Sequence, residues 1–141
     1  MEHRDGPRPG YRLHLLAGTF AICRLPASTP LPEWAQRSTG VMSLTRTPDE
    51  LSIICVETHA PADVQCRRGY RALQVAGPLP FEAVGILAGL ARPLAEAGIS
   101  ILAVATYDTD YVFVHASDLA RAMLALRGAG YAIDTVDDEP S

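Results

Sequence analysis

The polar turn at residues 106–110, with the sequence TYDTD, is the stretch whose residue types are best suited to bind a ligand. It separates two apolar runs that read as strands. Asp110 lies where the second run begins, and a carboxylate there can pair with an ammonium group through a charge-assisted bond of about 1.5 to 3 kcal/mol. Asp108, Thr109 and Asp110 are also what an ordinary tight turn between strands uses. These residues alone leave both a ligand site and a simple turn open.

Catalytic motifs are not found in the sequence. It has no nucleophile elbow, HExxH motif, P-loop or dinucleotide fingerprint. Its histidines, none of which has a neighbouring acid or nucleophile pattern, are His3, His14, His59 and His115. We therefore expect no catalytic residue and no cofactor. A thiol–histidine pair assembled only by the fold stays open, and it would require a cysteine with a perturbed pKa.

The cysteines indicate neither a disulfide framework nor a zinc site. Cys23, Cys55 and Cys66 are odd in number, widely spaced and without a CxxC pattern. We expect three buried or half-buried thiols in a reducing compartment, and no metal.

The composition is that of an ordinary globular protein with one sizeable core or two small units that share one. The chain has 141 residues, of which 48% are hydrophobic and 20% charged. Its formal net charge of -4 and its scattered arginines argue against nucleic-acid binding. No apolar run approaches the roughly 18 residues of a membrane span, and residues 1–10 do not read as a secretory signal. We expect a cytoplasmic protein with no nucleic-acid or membrane partner.

A helix should precede the polar turn and its strands. Its apolar stripe consists of Val84, Leu87, Leu90 and Leu94. This spacing predicts a helix that begins near Phe81, with Glu82 in its first turn. Gly98 is expected to end the helix as a left-handed cap, with Ile99 packed back on Leu94 in a Schellman motif.

Further strand and helix signals extend over the rest of the chain. Residues 41–45 and 51–56 predict a hairpin, and residues 11–25 predict a bent strand or a hairpin broken at Gly18. Residues 59–69 are polar and broken by proline, so we expect at most a short helix there. The remaining predicted elements are strands at 70–75 and 131–136 and a helix after Ser117.

Residues 70–136 therefore read as strand, helix, strand, strand, helix, strand. This order predicts an α+β fold, a ferredoxin-like βαββαβ unit whose antiparallel sheet carries both helices on one face. Residues 11–69 repeat the plan without a convincing helical stripe. We predict tandem ferredoxin-like units, the first with reduced helices, between a disordered arm at 1–10 and an acidic tail at 137–141. An apolar strand at 99–105 would be costly at an open edge, which favours a homodimer.

Two segments resemble the ACT domain family of small-molecule regulatory modules. One runs from GILAGLARPLAEAGIS to TYDTDYVFV at residues 85–114, and the other is SLTRTPDELSIIC at residues 43–55. More narrowly, they resemble tandem ACT proteins related to aspartate kinase regulatory domains and to the CASTOR arginine sensors. The resemblance covers about residues 16–133. It implies a degenerate ACT-like unit at 11–69 and an ACT domain at 70–136.

The resemblance also implies an amino-acid site at an interface between two ACT units. The implied ligand-binding residues are Gly85, Ile86, Thr106, Tyr107 and Asp110 of one unit and Ser100 and Ile101 of the other. The physical chemistry is compatible, since a glycine leaves room for a ligand and amides near a helix start suit a carboxylate. The arginine sensors carry an acidic residue just before the glycine, whereas this chain has Ala83 and Val84 there. A neutral amino acid therefore suits the site as well as arginine does.

A non-catalytic, allosteric amino-acid sensor that acts as a homodimer, and that regulates a protein partner, is the function that the resemblance implies. Two alternatives stay open. One is an assembly protein whose dimer docks another chain without a small-molecule ligand. The other, less favoured, is a small enzyme whose site has no recognised motif.

Overall fold

The structure of the chain, a computed structural model, describes residues 11–80 and 83–136. In these residues the chain forms one mixed sheet with short and long helices packed on it. The strands are β1 Arg12–Leu15, β2 Phe20–Leu25, β3 Ser43–Arg46, β4 Leu51–Val56, β5 Gln65–Val75, β6 Leu102–Ala105, β7 Asp110–His115 and β8 Ala132–Thr135. The helices are α1 Glu33–Gln36, α2 Ile86–Glu96 and α3 Leu119–Gly128, with 3-10 turns at Glu57–His59 and Ala116–Asp118.

The first half of the sheet is a ferredoxin-like unit with very short helices. Its strands lie in the order β3, β4, β2, β5, and each neighbouring pair is antiparallel. The four-residue helix α1 and the 3-10 turn Glu57–His59 stand in the two helix positions of the βαββαβ plan. The prediction of a first unit with reduced helices is confirmed, as is the hairpin of β3 and β4.

The second half has one strand more than the predicted unit. Its order is β6, β7, β5, β1, β8, so that β1 lies between β5 and β8. β1 is antiparallel to β5 and parallel to β8. Its segment belongs by sequence order to the first half, yet Leu13 and Leu15 are buried in the core of the second. Local alternation gives the existence of a strand but not its distant partners, which explains the difference.

β5 belongs to both halves. Residues 65–70 pair with β2, whereas residues 70–74 pair with β7. A glycine with a φ of 81°, Gly69, and a shift of register opposite it mark the junction. The predicted start of this strand at residue 70 is wrong, because β5 begins at Gln65, where pairing with β2 outweighs the polar side chains. The only helical turn near residues 59–69, among the residues described, is the 3-10 turn Glu57–His59, in line with the short helix expected there.

Three apolar clusters make up the core. One fills the space between α2, α3 and the second half of the sheet, and one lies between α1 and the first half. The third lies on the helix-free faces and joins the halves, with the rings of Phe20 and Phe113 5.5 Å apart in an edge-to-face arrangement. The helices of each half therefore cover one face of its strands, as predicted.

Helix α2 ends where the sequence predicts but begins later. Gly98 has a φ of 75°, and the amide of Ile99 donates to the carbonyl of Leu94 at 2.9 Å, which is the expected Schellman ending. The helix begins at Ile86, after the left-handed residue Gly85, so the predicted start near Phe81 is wrong. The preceding loop is instead tied to the polar turn by a 2.8 Å bond from the amide of Leu79 to the carbonyl of Asp108. The predicted places of the Phe81 and Glu82 side chains lie outside the described residues.

Candidate ligand-binding site

The start of α2 and the polar turn form the two walls of an open cleft of about 380 Å³. We call it the turn cleft. Five of the residues that the resemblance implies line it together, namely Gly85, Ile86, Thr106, Tyr107 and Asp110. The loop residues Leu79, Pro80 and Ala83 and the turn residues Asp108 and Thr109 complete this part of its wall.

The polar turn is held in place by its two threonines. The amide of Thr106 donates to the carbonyl of Thr109 at 2.8 Å, and the amide of Thr109 donates to the Thr106 hydroxyl at 3.2 Å. The Thr109 hydroxyl, in a side chain only 5% exposed, donates to the carbonyl of Val75 at 2.6 Å. Thr109 thus anchors the turn to β5, while Asp110 stays half-buried at the cleft. Sequence reasoning identified Thr109 only as a turn residue and missed this anchoring.

The start of α2 gives the cleft its anion-binding capacity. The first intrahelical bond runs from the amide of Gly89 to the carbonyl of Gly85 at 2.9 Å. The amides of the first turn therefore have no partner within the helix. No side chain in the described part of the chain caps them. Since Ile86, Leu87 and Ala88 line the cleft, these amides suit a carboxylate there.

The opposite wall carries negative charge. Asp108 and Asp110 are the charged side chains among the described residues that line the cleft, and no arginine or histidine accompanies them. Burial raises the pKa of the neighbouring Tyr111, and the charge of Asp108 adds to this effect. The cleft thus offers amides for an anionic group and carboxylates for a cationic group within one small space.

Ser100 and Ile101 lie elsewhere in the protomer. They line a second cleft, of about 440 Å³, where the start of β6 faces the helix-free side of the first half. We call it the inter-unit cleft, and its other walls include Ile22, Arg24, Arg67 and Tyr70. The structure therefore brings five of the seven implied residues together and separates the other two from them. Within the described residues, β6 pairs with β7 alone and its outer edge carries no strand.

The first unit contains a counterpart of the polar turn that is closed. The amide of Thr47 donates to the carbonyl of Glu50 at 2.9 Å, and the amide of Glu50 donates to the Thr47 hydroxyl at 3.1 Å, as in the turn at 106–109. Here the exposed side chain of Arg46, the last residue of β3, donates to the carbonyl of Ala27 and so links the end of the strand to the loop before α1. The equivalent last residue of β6 is Ala105, which leaves the turn cleft open.

Repeated sequence could have revealed this correspondence. Pro-Leu-Pro occurs at residues 30–32 and again at 78–80, and in each copy it follows the first strand of a unit. A threonine opens the turn in both copies, at Thr47 and Thr106. The difference between Arg46 and Ala105 is then the signal for one bridged turn and one open cleft.

The three cysteines form a cluster that spacing in sequence did not indicate. Cys23 lies opposite Cys66 in the pairing of β2 with β5, and all three are free thiols. A hydrogen bond to Cys55 raises the pKa of Cys23, and the same bond lowers the pKa of Cys55, which is fully buried. Burial, together with the hydrogen bond to Cys23, raises the pKa of Cys66 to about 12. The buried or half-buried state expected of the thiols is confirmed.

Among the residues that the structure describes, no group of three histidine, cysteine or acidic side chains is arranged to hold a metal ion. None of their helices has the length and apolar character needed to cross a membrane.

Comparison with known proteins gives two family matches and several related structures. A family model described as the ACT domain matches residues 65–128, and a second, described as an N-terminal domain, matches residues 18–63. The chain is similar to protein Atu0741 from Agobacterium tumefaciens, with 35% identity, a TM-score of 0.86 and coverage of 95% of this chain and 99% of that one. No curated protein matches the chain.

More distant structures extend the comparison. A Vibrio cholerae protein of unknown function described as a possible transport protein, VC0802, has 25% identity and a TM-score of 0.71, over 86% of this chain and 91% of that one. The regulatory subunit of aspartate kinase from Thermus thermophilus has 14% identity and a TM-score of 0.57, over 85% and 97% respectively, and this likeness concerns the fold alone. Because residues 65–128 match the ACT domain model and lie in a ferredoxin-like half of the sheet, this part of the chain belongs to the ACT domain family.

Proposed function

We propose that the chain is a regulatory protein without catalytic activity, which binds an amino acid at an interface between ACT units of a homodimer. The turn cleft carries the proposal, because it combines helix-start amides with two carboxylates in about 380 Å³. An amino acid has one anionic and one cationic group on neighbouring atoms, which these two walls complement. The proposed ligand-binding residues are Gly85, Ile86, Ser100, Ile101, Thr106, Tyr107 and Asp110.

A second copy of the chain would complete the site. No strand of residues 11–80 and 83–136 pairs with the outer edge of β6, whose backbone groups another strand can therefore use. If two β6 edges pair in antiparallel fashion, the start of one strand lies beside the end of the other. Ser100 and Ile101 of one copy would then reach the turn cleft of the second copy, and the two-fold axis would generate two equal sites. Amino-acid binding would favour this packing and so report ligand concentration to a regulated protein partner.

The two units would have different roles. The unit at residues 70–136 provides the open cleft, whereas in the degenerate unit at residues 11–69 the Arg46 side chain is bonded to the loop before α1, across the counterpart of that cleft. We assign ligand binding to the unit at residues 70–136 and a structural role to the unit at residues 11–69. Each dimer would therefore bind two amino acids rather than four.

Calorimetric titration with each of the standard amino acids tests this function. We expect the wild-type protein to bind at least one of them. Asp110→Asn should weaken that binding at least about tenfold, because it removes the charge that pairs with the ligand ammonium. Ala105→Arg should abolish amino-acid binding, because a long side chain at this position would cross the turn cleft. Asp49→Asn, the same change in the closed turn, is the matched control and should bind normally.

The proposal is wrong if no amino acid binds the wild type, or if Asp110→Asn binds as the wild type does. Thermal shift gives an independent measure, since a ligand at 100 times its Kd adds about 2.7 kcal/mol to the free energy of unfolding.

One observation favours the assembly alternative. Val84, beside the turn cleft, is 83% exposed, and Leu87 next to it is also exposed. Apolar side chains of this size at one surface are typical of protein contacts. An assembly protein would show a melting temperature that no amino acid changes and that a protein partner raises.

A further inference from the structure

We propose that, in the homodimer, the polar turn of each subunit inserts Tyr107 into the inter-unit cleft of the other subunit and pairs its Asp108 with Arg67 there. This rests on the homodimer of the proposed function and assigns the side chains of Tyr107 and Asp108 to the partner subunit, which leaves Asp110 as the carboxylate for the ligand ammonium. It gives the inter-unit cleft an occupant, a second copy of this chain.

The polar turn has the features of a docking element. Tyr107, at its tip, is 88% exposed in the protomer. Tyrosine provides large apolar area together with a polar end, and it is enriched in the buried centres of protein interfaces. The turn itself is rigid, because the Thr109 hydroxyl is bonded to β5 at 2.6 Å. Little conformational entropy is then lost when the turn docks.

The inter-unit cleft suits an aromatic side chain with an acidic neighbour. Its walls include the half-buried apolar side chains of Ile22, Ile101 and Leu102 and the ring of Tyr70. It is lined in addition by Arg24 and Arg67. A tyrosine ring would contact the apolar wall while a carboxylate beside it meets a guanidinium.

The charges of the two surfaces are complementary. Within the described residues, the Arg67 guanidinium and the Asp108 carboxylate each make no hydrogen bond and no ion pair. The other charges of the cleft are already matched: Arg24 lies 3.8 Å from Glu50, and Asp118 lies 2.9 Å from Arg121. Arg67 is therefore the cation that remains to receive an acidic partner.

The geometry of the sheet makes the contact compatible with the proposed site. The inter-unit cleft includes residues 100–102, at the start of β6, and Tyr107 follows the end of β6 by two positions. Antiparallel pairing of two β6 edges places the start of one strand beside the end of the other. The alignment that would bring Ser100 to the ligand thus also brings Tyr107 to the mouth of the partner's cleft. The two-fold axis repeats the contact, so each dimer contains it twice.

A charge exchange followed by sedimentation velocity tests the pairing. We expect the wild type to be a dimer, and expect both Asp108→Arg and Arg67→Asp to raise its dissociation constant about tenfold or more, because each places like charges together. The double variant should restore the wild-type value to within about threefold, since it re-forms the pair in reverse. Asp63→Arg and Arg92→Asp make the same changes at exposed positions outside both clefts, and they should have no effect.

The tyrosine is tested separately. Tyr107→Ala should weaken the dimer at least about tenfold, whereas Tyr107→Phe, which keeps the ring, should stay within about threefold of the wild type. Circular dichroism confirms that each variant is folded before its association is measured.

Three results would overturn the docking proposal. They are a monomeric wild type, single variants with unchanged dimerisation, or a double variant whose loss of dimer affinity equals the sum of the two single losses. Amino-acid titration separates this failure from that of the proposed function. If an amino acid binds while dimerisation is indifferent to residues 67 and 108, only the docking proposal fails. If no amino acid binds yet the charge exchange is rescued, only the ligand proposal fails.

Discussion

The side chains of Thr109 and Asp110 are adjacent in the chain but have different surroundings. Thr109 is buried and bonded to the carbonyl of Val75, whereas Asp110 borders the turn cleft. The sequence TYDTD predicted a turn, and the turn is found. It could not show which of its polar residues would anchor to the sheet, because that depends on the position of β5. The bond between Arg46 and the loop before α1 could not be predicted for the same reason.

The thiol cluster leads to a prediction about reactivity at the same scale. Cys66 is half-buried, and its raised pKa leaves little thiolate at neutral pH. Cys23 and Cys55 are buried beyond the reach of a reagent. At pH 7.5 we expect the folded protein to react with iodoacetamide at least about 30-fold more slowly than a free thiol of pKa about 8.5. Mass spectrometry measures the rate.

Denatured protein serves as the control for this experiment, and in it all three thiols should react at the rate of a free thiol.

The rate of alkylation should also depend on pH in a definite direction. Since folding raises the pKa of Cys66, alkylation of the folded protein should accelerate only as the pH rises above 9 towards 12. Rapid modification of one thiol in the folded protein at neutral pH would instead support the enzyme alternative.

At the scale of elements, the two ends of α2 differ in how far they could be predicted. The ending depends on neighbouring residues, since Gly98 adopts a left-handed conformation and Ile99 bonds back to Leu94. A local pattern is sufficient for such a motif. The start depends on the bond between Leu79 and the polar turn, about thirty residues away in sequence, so the apolar spacing that included Val84 was misleading.

Two glycine substitutions test the cap with opposite expected signs. An added Cβ meets no atom within 4 Å at Gly98 or at Gly128, so neither substitution introduces a steric clash. Gly98 has a φ of 75°, and Gly98→Ala should lower the free energy of unfolding by about 1 kcal/mol. Gly128 lies in α3 without a positive φ, and Gly128→Ala should raise it by about 0.5 to 1 kcal/mol. Urea unfolding measures both.

The cap interpretation would be contradicted if both substitutions changed stability in the same direction. Gly98→Asn provides a further check, because asparagine tolerates the left-handed region better than alanine does. It should cost less than Gly98→Ala.

At the scale of the whole molecule, the helix-free cluster makes the two units one folding unit. Phe20 of the first unit and Phe113 of the second are both buried, and their rings are in edge-to-face contact in a cluster that also contains Ala72 of the shared strand. Tandem ferredoxin-like units could be predicted because each hairpin and turn is local. The insertion of β1 and the common use of β5 could not, since strand partners far apart in sequence leave no periodic signal.

This coupling predicts a single cooperative transition. Phe113→Ala should lower the free energy of unfolding by about 3 to 5 kcal/mol and shift the whole transition, because the cavity lies in the cluster that both units share. Leu124→Ala, at a side chain 75% exposed on α3, is the control and should change it by less than about 0.5 kcal/mol. Far-ultraviolet circular dichroism and tryptophan fluorescence follow unfolding in parallel, since Trp34 lies in the first unit.

The coupling would be contradicted if dichroism and fluorescence reported separate unfolding transitions and Phe113→Ala shifted only the transition seen by dichroism.

The position of β1 also has a consequence for how such a protein can be recombined. A gene fragment that encodes residues 65–136 alone would leave β5 and β8 without the strand that lies between them. Transfer of the C-terminal unit to another protein, by evolution or by an engineer, would therefore have to carry residues 12–15 along or provide a substitute strand. The tandem pair of units is therefore the smallest segment that we expect to be transferred intact between proteins.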